Sequence, residues 1–504
     1  MSKLLASIKK NYPIIIILTL AVFLFVTFAS ECSFLYRTNE WDDVHCYHTV
    51  GWMMGKGSVL YRDIHEQKGP YLYFLHVIAV WIAPGKYYGM YIFELILGWT
   101  FAYAMYKILS LFVENKKYCT IGTVLILVLY YISFAFNKGD SAEELVIPFY
   151  ALSLYWLIQM AQGKKHVCWL KAFIVGLFAG VVLLTKFTLI AFYGGIMVMV
   201  VVMYIRNKDT KRAWTSIASF VGGFILAWIP VLIYFGVNNA FNDFYTIYFY
   251  NNIFHYTTDG GGGIGGTLAK MAEAWYVRFA FGYTYFLFIL FGFFYVLFCK
   301  RIKKDIVFWS ALIPYIFMNL MITVGGASYN YYGLPNAIYA FVGVYAIYDL
   351  ITHKEKAKNH IKKYQKPYQI AALSLLTIVS FAGTPNLPRM FVSENDIMEY
   401  QMKAIIEKEE NPTLLNYRCL DVGVYYLCGI EPTTKYFAGY NGHYEELEKE
   451  QQRIVDDCEV MFVIARVDRL PENIDLHYDL VYTGQLHDID RQFKYNLYKL
   501  NLLK

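Results

Sequence analysis

The chain has 504 residues, of which 57% are hydrophobic and 17% are charged, and its formal net charge is +6. A soluble chain carries roughly a quarter charged residues and under half apolar ones, so this composition excludes a water-soluble enzyme of several domains. The excess lysines and arginines lie in short loops between apolar blocks. Membrane topology therefore explains the positive charge better than nucleic-acid binding does, and no nucleic-acid partner is expected.

Eleven apolar blocks are long enough to cross a hydrocarbon layer roughly 30 Å thick as helices. In chain order they are 12–30, 87–113, 118–136, 144–161, 168–184, 188–205, 214–236, 280–299, 306–324, 332–351 and 367–383. We therefore predict an α-helical polytopic membrane protein with about eleven transmembrane helices. The first block ends in Thr27-Phe28-Ala29, which is a passable signal-peptide cleavage site, but its length favours an uncleaved anchor.

The loops between the predicted spans differ in basic charge. Lysines and arginines concentrate in the amino-terminal segment and in every second loop after it, which places the amino terminus in the cytoplasm. The apolar run 71–83 is too short to span comfortably, so we interpret it as an interfacial helix. The odd number of spans then places the first loop, 31–86, and the end of the chain outside.

Residues 385–504 are predicted to form a second domain after a membrane module at 1–384. Charged residues return here, and no apolar run is long enough to span. Residues 393–409 have helical spacing, and short strands are predicted at 414–417, 422–427, 459–465 and 493–500. These elements predict a small extracytoplasmic α/β domain.

Two adjacent carboxylates, Asp42 and Asp43, lie in the first outer loop. Apolar residues at helical spacing predict that 43–54 is an amphipathic helix on the outer membrane surface, with both acids at its amino-terminal end. Asn39 or Asp42 can simply cap this helix. An ionised carboxylate near the bilayer surface can also take the proton from a hydroxyl that attacks an anomeric carbon. The two roles are compatible.

A second acidic pair, Glu143 and Glu144, lies at the outer end of the span 144–161. Acids in a first helical turn are stabilised by the helix dipole, which explains them without any function. Carboxylates from two loops can instead converge on sugar hydroxyls or on a divalent cation. The cation is the weaker of those two readings, because a short list of acids defines no ligand geometry.

Positive charge is scarce in the predicted outer loops, which draws attention to Lys68 and Lys186. Lys186 lies between two closely spaced apolar segments, where an ammonium group is costly unless it snorkels or meets an anion. Either lysine can contact lipid headgroups. The functional alternative is a lipid-linked phosphate, because a departing phosphate leaves charge that lysine stabilises.

Two further outer patterns admit plain explanations. The glycine-rich run in 259–267 follows no predicted strand and lacks Gly-Lys-Ser/Thr, so we interpret it as a flexible lid over the site rather than a phosphate loop, and an unstructured linker remains the alternative. The tyrosines in 328–332 are expected as an aromatic belt at the membrane interface.

The cysteines are sparse and show no CxxC metal spacing. Cys32 and Cys46 share the first outer loop, and Cys419 and Cys428 share the outer domain, so either pair can bridge in an oxidising compartment. Buried free thiols are the favoured interpretation for both pairs.

The first outer loop resembles that of the GT-C superfamily of polytopic glycosyltransferases. The similarity is to the branch of protein O-mannosyltransferases and bacterial lipid A aminoarabinose transferases. It rests on Asp43, Tyr47, Gly51, Tyr61-Arg62-Asp63 and Lys68-Gly69-Pro70. Ala142-Glu143-Glu144 is similar to their Thr-Glu-Glu motif, and Asn330-Tyr331 takes the place of a common His-Tyr.

The resemblance implies a membrane enzyme that inverts the anomeric centre while moving one sugar from a polyprenyl-phosphate donor to a lipid, glycan or protein acceptor. It places that enzyme in a bacterial plasma membrane, with the reaction on the outer face.

The resemblance also implies roles for individual residues. Asp43 is the expected base with Asp42 as its substitute; Lys68, Lys186 and Arg62 are expected at the donor phosphate; Glu143 and Glu144 orient the sugar or acceptor; and Tyr47, Asn330 and Tyr331 contact substrate. The resemblance implies that no cofactor is required. A divalent cation bound by Glu143 and Glu144 is the alternative.

Two other classes of protein compete with this hypothesis. A transporter or lipid flippase places ionisable groups near the bilayer midplane on broken helices. Here Glu94 and Lys107 are the notable charges within apolar blocks, and neither lies at a Gly or Pro break. The remaining alternative is a non-catalytic member of the same fold, which the presence of Asp43, Lys68 and Glu143 disfavours.

Overall fold

The computed structural model describes residues 2–163, 168–254, 263–300, 302, 304–324, 328–353, 365–439, 445–486 and 493–501. They form two compact units. The first unit comprises 1–30, 92–228 and 267–387, and the second comprises 31–91, 229–266 and 388–504.

Helices account for most of the described chain. We number the longer ones α1 Ser2–Ala29, α2 Asp42–Gly55, α3 Pro70–Ile82, α4 Tyr88–Phe112, α5 Lys116–Tyr131, α6 Ala142–Ala161, α7 Trp169–Leu183, α8 Ala191–Arg206, α9 Thr210–Val237, α10 Gly263–Phe298, α11 Ile306–Val324, α12 Ala340–Thr352, α13 Gln365–Gly383, α14 Met398–Ile406, α15 Val424–Cys428 and α16 Glu445–Asp456. A 3₁₀ helix, Asn330–Tyr339, leads directly into α12. A further helical segment, left unnumbered, covers 241–254, with π-helical geometry at Tyr245–Asn251.

Each of the eleven predicted spans falls on helical residues, and 71–83 coincides with α3. Among the described residues, seven helical stretches are long and apolar enough to cross a membrane: Tyr12–Ala29, Tyr88–Phe112, Ala142–Ala161, Phe187–Arg206, Thr210–Val237, Ala269–Phe298 and Asn330–Thr352. Shorter apolar helices are Pro70–Ile82, Trp169–Leu183 and Ile306–Met321. The prediction of a polytopic α-helical membrane fold is therefore confirmed.

Helices of the first unit approach one another at small residues. A side chain at Gly176 of α7 would overlap the backbone of Phe220 in α9, and one at Gly223 of α9 would overlap the backbone of Phe173 in α7. Small residues let helix backbones pack closely where lipid offers no hydrophobic drive between helices. This reciprocal contact explains why α7, although short, is fixed against α9.

Helix α2 of the second unit is buried rather than half exposed. All residues from Asp43 to Gly51 are buried. Gly51 packs against the backbone of α3 at His76, where a Cβ would lie 2.8 Å from the His76 carbonyl carbon. The prediction of an amphipathic helix on the membrane surface is therefore wrong in its environment, because protein covers both faces of α2.

The end of the chain carries a four-stranded sheet in the second unit. Its strands are β1 Leu414–Tyr417, β2 Phe462–Arg466, β3 Tyr478–Gln485 and β4 Lys494–Leu500, in the order β1-β2-β4-β3. Strand β1 is parallel to β2, β4 is antiparallel to both of its neighbours, and the register of β3 shifts between Leu480 and Tyr482. Side chains of the sheet and α16 share one buried core, which includes Leu415, Ile454, Val463 and Tyr498.

Three details of this region differ from prediction. The predicted strand 422–427 is helix α15, because Gly423 and Gly429 adopt left-handed backbone angles that start and stop one short helix. The predicted helix 393–409 is reduced to α14 and a preceding turn of 3₁₀ helix. Strand β3 and helix α16 were not predicted.

Candidate functional site

Asp42 and Asp43 form the first turn of α2, but neither occupies its capping position. Trp41 is at that position and makes no side-chain capping hydrogen bond, and Asp42 Oδ1 accepts from the Asp43 backbone N at 2.9 Å. Asn39 Oδ1 accepts from Trp41 N at 3.1 Å, one residue outside the helix. The prediction that Asn39 or Asp42 caps the helix is therefore wrong, and the explanation of the acids as caps loses its support.

Asp43 belongs to a buried charged group that we call the Asp43 cluster, which consists of Asp43, Tyr47, Glu66 and Lys68. Lys68 Nζ lies 3.3 Å from Asp43 Oδ1 and 3.9 Å from Glu66 Oε1. The same ammonium group lies 5.1 Å from the ring centroid of Tyr47, one turn after Asp43. Asp43 is 5% exposed, Glu66 1% and Lys68 9%. Charges this buried are kept only where opposite charges meet them.

The loop that carries Lys68 is fixed by an aromatic stack. Tyr61 adopts a left-handed backbone conformation, with φ of 70°, and its hydroxyl donates to the Lys68 carbonyl at 2.6 Å. Its ring stacks on Phe235 and Phe244. Strained residues of this kind persist where the surroundings over-determine them, often at functional sites. Tyr61 therefore holds Lys68 in place without being charged itself.

The Asp43 cluster places one ammonium group beside two carboxyl groups. Burial raises the pKa of Glu66 above its ordinary value, and the nearby Lys68 ammonium opposes that shift. Asp43 Oδ1 and Lys68 Nζ meet at salt-bridge distance. A proton acceptor and a cation thus lie side by side, which is the pairing that a hydroxyl nucleophile and an anionic leaving group need.

The partners of Arg62 are residues outside the Asp43 cluster. It is exposed, pairs with Asp63 at 2.8 Å through Nε, and donates to the Asn238 carbonyl at 2.8 Å. The hydrogen bond from Arg62 holds the pKa of Asp63 below its usual range. The structure thus gives Arg62 a role in holding the loop.

In the first unit, Glu143 and Lys186 form an ion pair with 2.5 Å between Oε1 and Nζ. Lys186 Nζ also lies 3.8 Å from the ring centroid of Tyr332 and 5.4 Å from that of Tyr331. Both tyrosines are buried, so the expectation of an aromatic belt is wrong for these two residues. Asn330 is buried as well, and its Oδ1 accepts from Tyr331 N at the start of the 3₁₀ helix.

Glu144 and Glu94 shape the loop before α6. Glu144 Oε2 and Glu94 Oε1 both accept from the Asp140 backbone N, at 2.8 and 3.0 Å, and Ser30 Oγ donates to Glu94. Ser141 caps α6 through Glu144 N. Asn137 and Asp140 adopt left-handed backbone angles in this loop. Glu94, the charge that a transporter would need in an apolar block, is engaged in fixing this loop.

Sequence reasoning missed Glu66, Tyr61 and Glu94 as site residues. Glu66 could have been predicted from the sequence, since it precedes Lys68 by two residues in the same loop. The eight cysteines are all described, and all are free thiols. Cys32, Cys46 and Cys419 are buried, as the favoured interpretation predicts, whereas Cys428 is only partly buried. Of the glycine-rich run 259–267 predicted as a lid, 259–262 lie outside the described residues, and 263–267 form the start of helix α10.

No protein-family model matches the sequence, and no curated protein matches it either. Solved structures do match. ArnT from Cupriavidus metallidurans bound to undecaprenyl phosphate aligns over 97% of this chain and 98% of its own, with a TM-score of 0.59 and 10% identity. Its apo state gives a TM-score of 0.58, and an Archaeoglobus fulgidus oligosaccharyltransferase gives 0.50 at 11% identity, over 91% of this chain and 70% of its own.

The fold is therefore similar to those of ArnT and the archaeal oligosaccharyltransferase, and the predicted resemblance is confirmed at the level of the fold. The likeness to ArnT extends along almost the whole of both chains. The protein is accordingly a multi-pass membrane protein.

Proposed function

We propose that this protein is a membrane glycosyltransferase that moves a single sugar from a polyprenyl-phosphate donor to an acceptor hydroxyl, with inversion at the anomeric carbon. The observation that carries the proposal is the buried contact between Asp43 and Lys68, on a fold similar to a transferase bound to undecaprenyl phosphate. The proposal specifies the transferred sugar only as a hexose or a pentose.

Asp43 acts as the general base in this mechanism. The acceptor oxygen attacks the anomeric carbon, its proton passes to the Asp43 carboxylate, and the bond from that carbon to the phosphate oxygen breaks. A single displacement from the opposite face inverts the anomeric centre. Asp42, adjacent on the chain, is the substitute base if Asp43 is not the acceptor of the proton.

Lys68 stabilises the phosphate that leaves. In the free protein its ammonium group contacts Asp43 and Glu66. An arriving phosphate would draw Lys68 towards itself and free the Asp43 oxygen to accept a proton. Lys186 and Arg62 are secondary candidates for the phosphate, and both already have carboxylate partners in Glu143 and Asp63.

Glu143 and Glu144, with Asn330 and Tyr331, are proposed to orient the sugar or the acceptor. Glu143 supports this best, since its Oε1 is bound to Lys186 and its Oε2 has no hydrogen-bond partner among the described residues. Tyrosine faces such as those of Tyr47 and Tyr331 suit stacking on a sugar ring.

The mechanism as written requires no cofactor, and a divalent cation at the acidic residues is a separate proposal that a chelator tests. We further propose a bacterial plasma membrane location, with the amino terminus in the cytoplasm and 385–504 outside. The acceptor is then a lipid, glycan or protein that reaches the outer face.

The proposal is tested by measuring sugar transfer by the purified protein in nanodiscs. The protein is supplied with a panel of undecaprenyl-phosphate-linked radiolabelled sugars and with an extract of envelope acceptors. Asp43→Asn should insert and fold normally while transfer falls by about 10² to 10⁴. Asp42→Asn is the matched control and should retain most of the rate.

Near-normal turnover by Asp43→Asn, together with loss in Asp42→Asn, would move the base to Asp42. Wild-type protein that transfers no sugar, yet moves a fluorescent lipid-linked sugar across proteoliposomes, would instead identify a flippase. Wild-type protein inactive in both assays would favour a non-catalytic member of the fold.

A further inference from the structure

We propose that Thr49 and Asp421 are positioning residues, through which the end of the chain sets the placement of the helix that carries Asp43. The catalytic consequence rests on the proposed function. The anchoring itself can be measured without it.

Helix α2 presents two different faces to its own unit. Asp43 and Tyr47, one turn apart, face Lys68. His45 and Thr49, also one turn apart, face residues that follow 398 in the chain. A displacement of the second face would therefore move the Asp43 carboxylate relative to the Lys68 ammonium group.

Asp421 is fully buried, and its contacts join α2 to the loop after β1. Its Oδ2 accepts from Thr49 Oγ1 at 2.5 Å, while its Oδ1 accepts from Asn416 Nδ2 at 3.0 Å and Gly423 N at 2.8 Å. Its backbone N donates to Cys46 Sγ at 3.4 Å. Hydrogen bonds to a buried carboxylate are stronger than neutral ones, so this residue fixes the rotation of α2 about its axis.

His45 provides a second contact on the same face of α2. Its Nδ1 lies 2.7 Å from the Tyr87 hydroxyl, and its Nε2 lies 3.5 Å from Glu399 Oε1, with both side chains buried. Gly423, two residues after Asp421, leaves room for the imidazole, since a Cβ there would lie 2.5 Å from the His45 ring. The Thr49–Asp421 hydrogen bond and the His45–Tyr87 contact therefore both hold the same face of the helix.

The loop that carries Lys68 is tied to the same stretch of chain. His65 N donates to the Lys435 carbonyl at 2.9 Å, and Lys56 pairs with Glu431 at 2.6 Å. The latter pair is exposed and contributes little. Residues 416–436 thus contact both the helix that holds Asp43 and the loop that holds Lys68, which gives this stretch control over the distance between them.

The rate of the chemical step is more sensitive than donor binding to the distance between Asp43 and Lys68. A displacement of 1 Å at a reacting group can cost about 100-fold in rate, whereas a flexible lysine can still reach a phosphate. Loss of the Thr49–Asp421 hydrogen bond should therefore lower kcat while the KM for the donor changes little.

The test compares Thr49→Val, which removes the hydroxyl at nearly constant volume, with Thr49→Ser, which keeps it. Thr49→Val and Asp421→Asn should lower kcat by about 10-fold to 100-fold with donor KM within about twofold of wild type, and Thr49→Ser should restore kcat. Thr483→Val is the matched control, because Thr483 hydrogen-bonds Asn496 within the sheet. In an Asp43→Asn background, Thr49→Val should produce no further loss.

Hydrogen–deuterium exchange of 43–50 in nanodiscs measures the anchoring directly. Exchange should rise in Thr49→Val and stay at the wild-type level in Thr483→Val. Unchanged exchange would overturn the anchoring, and raised exchange with unchanged kcat would overturn the positioning role. An additional loss from Thr49→Val in the Asp43→Asn background would also overturn that role. Inactive wild-type protein would refute the proposed function, while the exchange result would still decide the anchoring.

Discussion

Glu143 and Lys186 meet at 2.5 Å, although their sequence patterns suggested different ligands for the two side chains. Their side chains are 1% and 12% exposed. A buried pair of this kind tolerates removal of both charges better than removal of one, because a single substitution leaves the other charge uncompensated.

Glu143→Gln and Lys186→Met should therefore each lower the Tm by several degrees, and the double variant should lose less than the sum. Thermal unfolding in detergent measures the three values. The exposed pair Glu445 and Lys449, changed in the same way, is the control and should leave the Tm unchanged. Additive losses from Glu143 and Lys186 would show that the two side chains are not energetically coupled.

Lys68 should dominate the affinity for the donor phosphate. Lys68→Ala should weaken binding of undecaprenyl phosphate by at least about tenfold, because a charge-assisted contact is lost, while Lys68→Arg should retain part of the affinity. Fluorescence titration in nanodiscs measures the Kd. Lys208→Ala, at an exposed position, is the control for charge alone. Equal and negligible effects of Lys68→Ala and Lys186→Ala would reduce both lysines to headgroup contacts.

His65 should make the protein less stable in mild acid. Burial, helped by the charge of Lys435, lowers the pKa of His65 from an ordinary 6.5 to about 3. Between these values the unfolded chain binds the proton and the folded chain does not, so the contribution of His65 is complete above pH 6.5 and is lost as the pH falls towards 3. Glu66 works in the opposite sense, because its pKa is raised.

The measurement is the Tm from pH 7 to pH 4 for wild type and His65→Gln. The Tm at pH 7 reports the packing that the substitution loses, and the slope of Tm against pH reports proton binding on unfolding. This slope should be shallower in His65→Gln than in wild type. An identical slope would mean that His65 is protonated alike in both states.

Membrane sidedness can be tested with single cysteines at exposed, described positions. In a background without native accessible cysteines, Lys86→Cys and Lys449→Cys should react with an impermeant thiol reagent added to intact cells. Lys116→Cys and Lys208→Cys should react only after permeabilisation, because basic loops are retained in the cytoplasm. Protection of position 449 with reaction at position 86 would make the span count even and would contradict the proposed placement of 385–504 outside.

The positions of the spans could be predicted because apolar length is a local property of the sequence. The acids and the cation of the first loop could likewise be singled out, since Asp42 and Asp43 are adjacent carboxylates and Lys68 is one of few cations in the predicted outer loops. Their contact could not be predicted, because 25 residues separate them and the backbone of Tyr61 makes an unusual turn between them.

Helix α15 shows why other parts escaped prediction. The valines and tyrosines in 422–427 are typical of a strand, yet the left-handed glycines Gly423 and Gly429 select a single helical turn. Burial of α2 was missed for a related reason, since its polar face is covered by distant residues such as Asp421, which is 372 positions after Thr49. Patterns within a window of ten residues carry no information about such partners.

The packing of His45 against Gly423 has a consequence for how related sequences can diverge. A side chain at 423 would collide with the imidazole and would also need a backbone angle, φ of 84°, that residues other than glycine rarely adopt. Homologues that replace Gly423 are therefore expected to replace His45 with a smaller residue as well. Replacement of Gly423 should therefore not be found together with an intact His45, although the two positions are 378 residues apart in the chain.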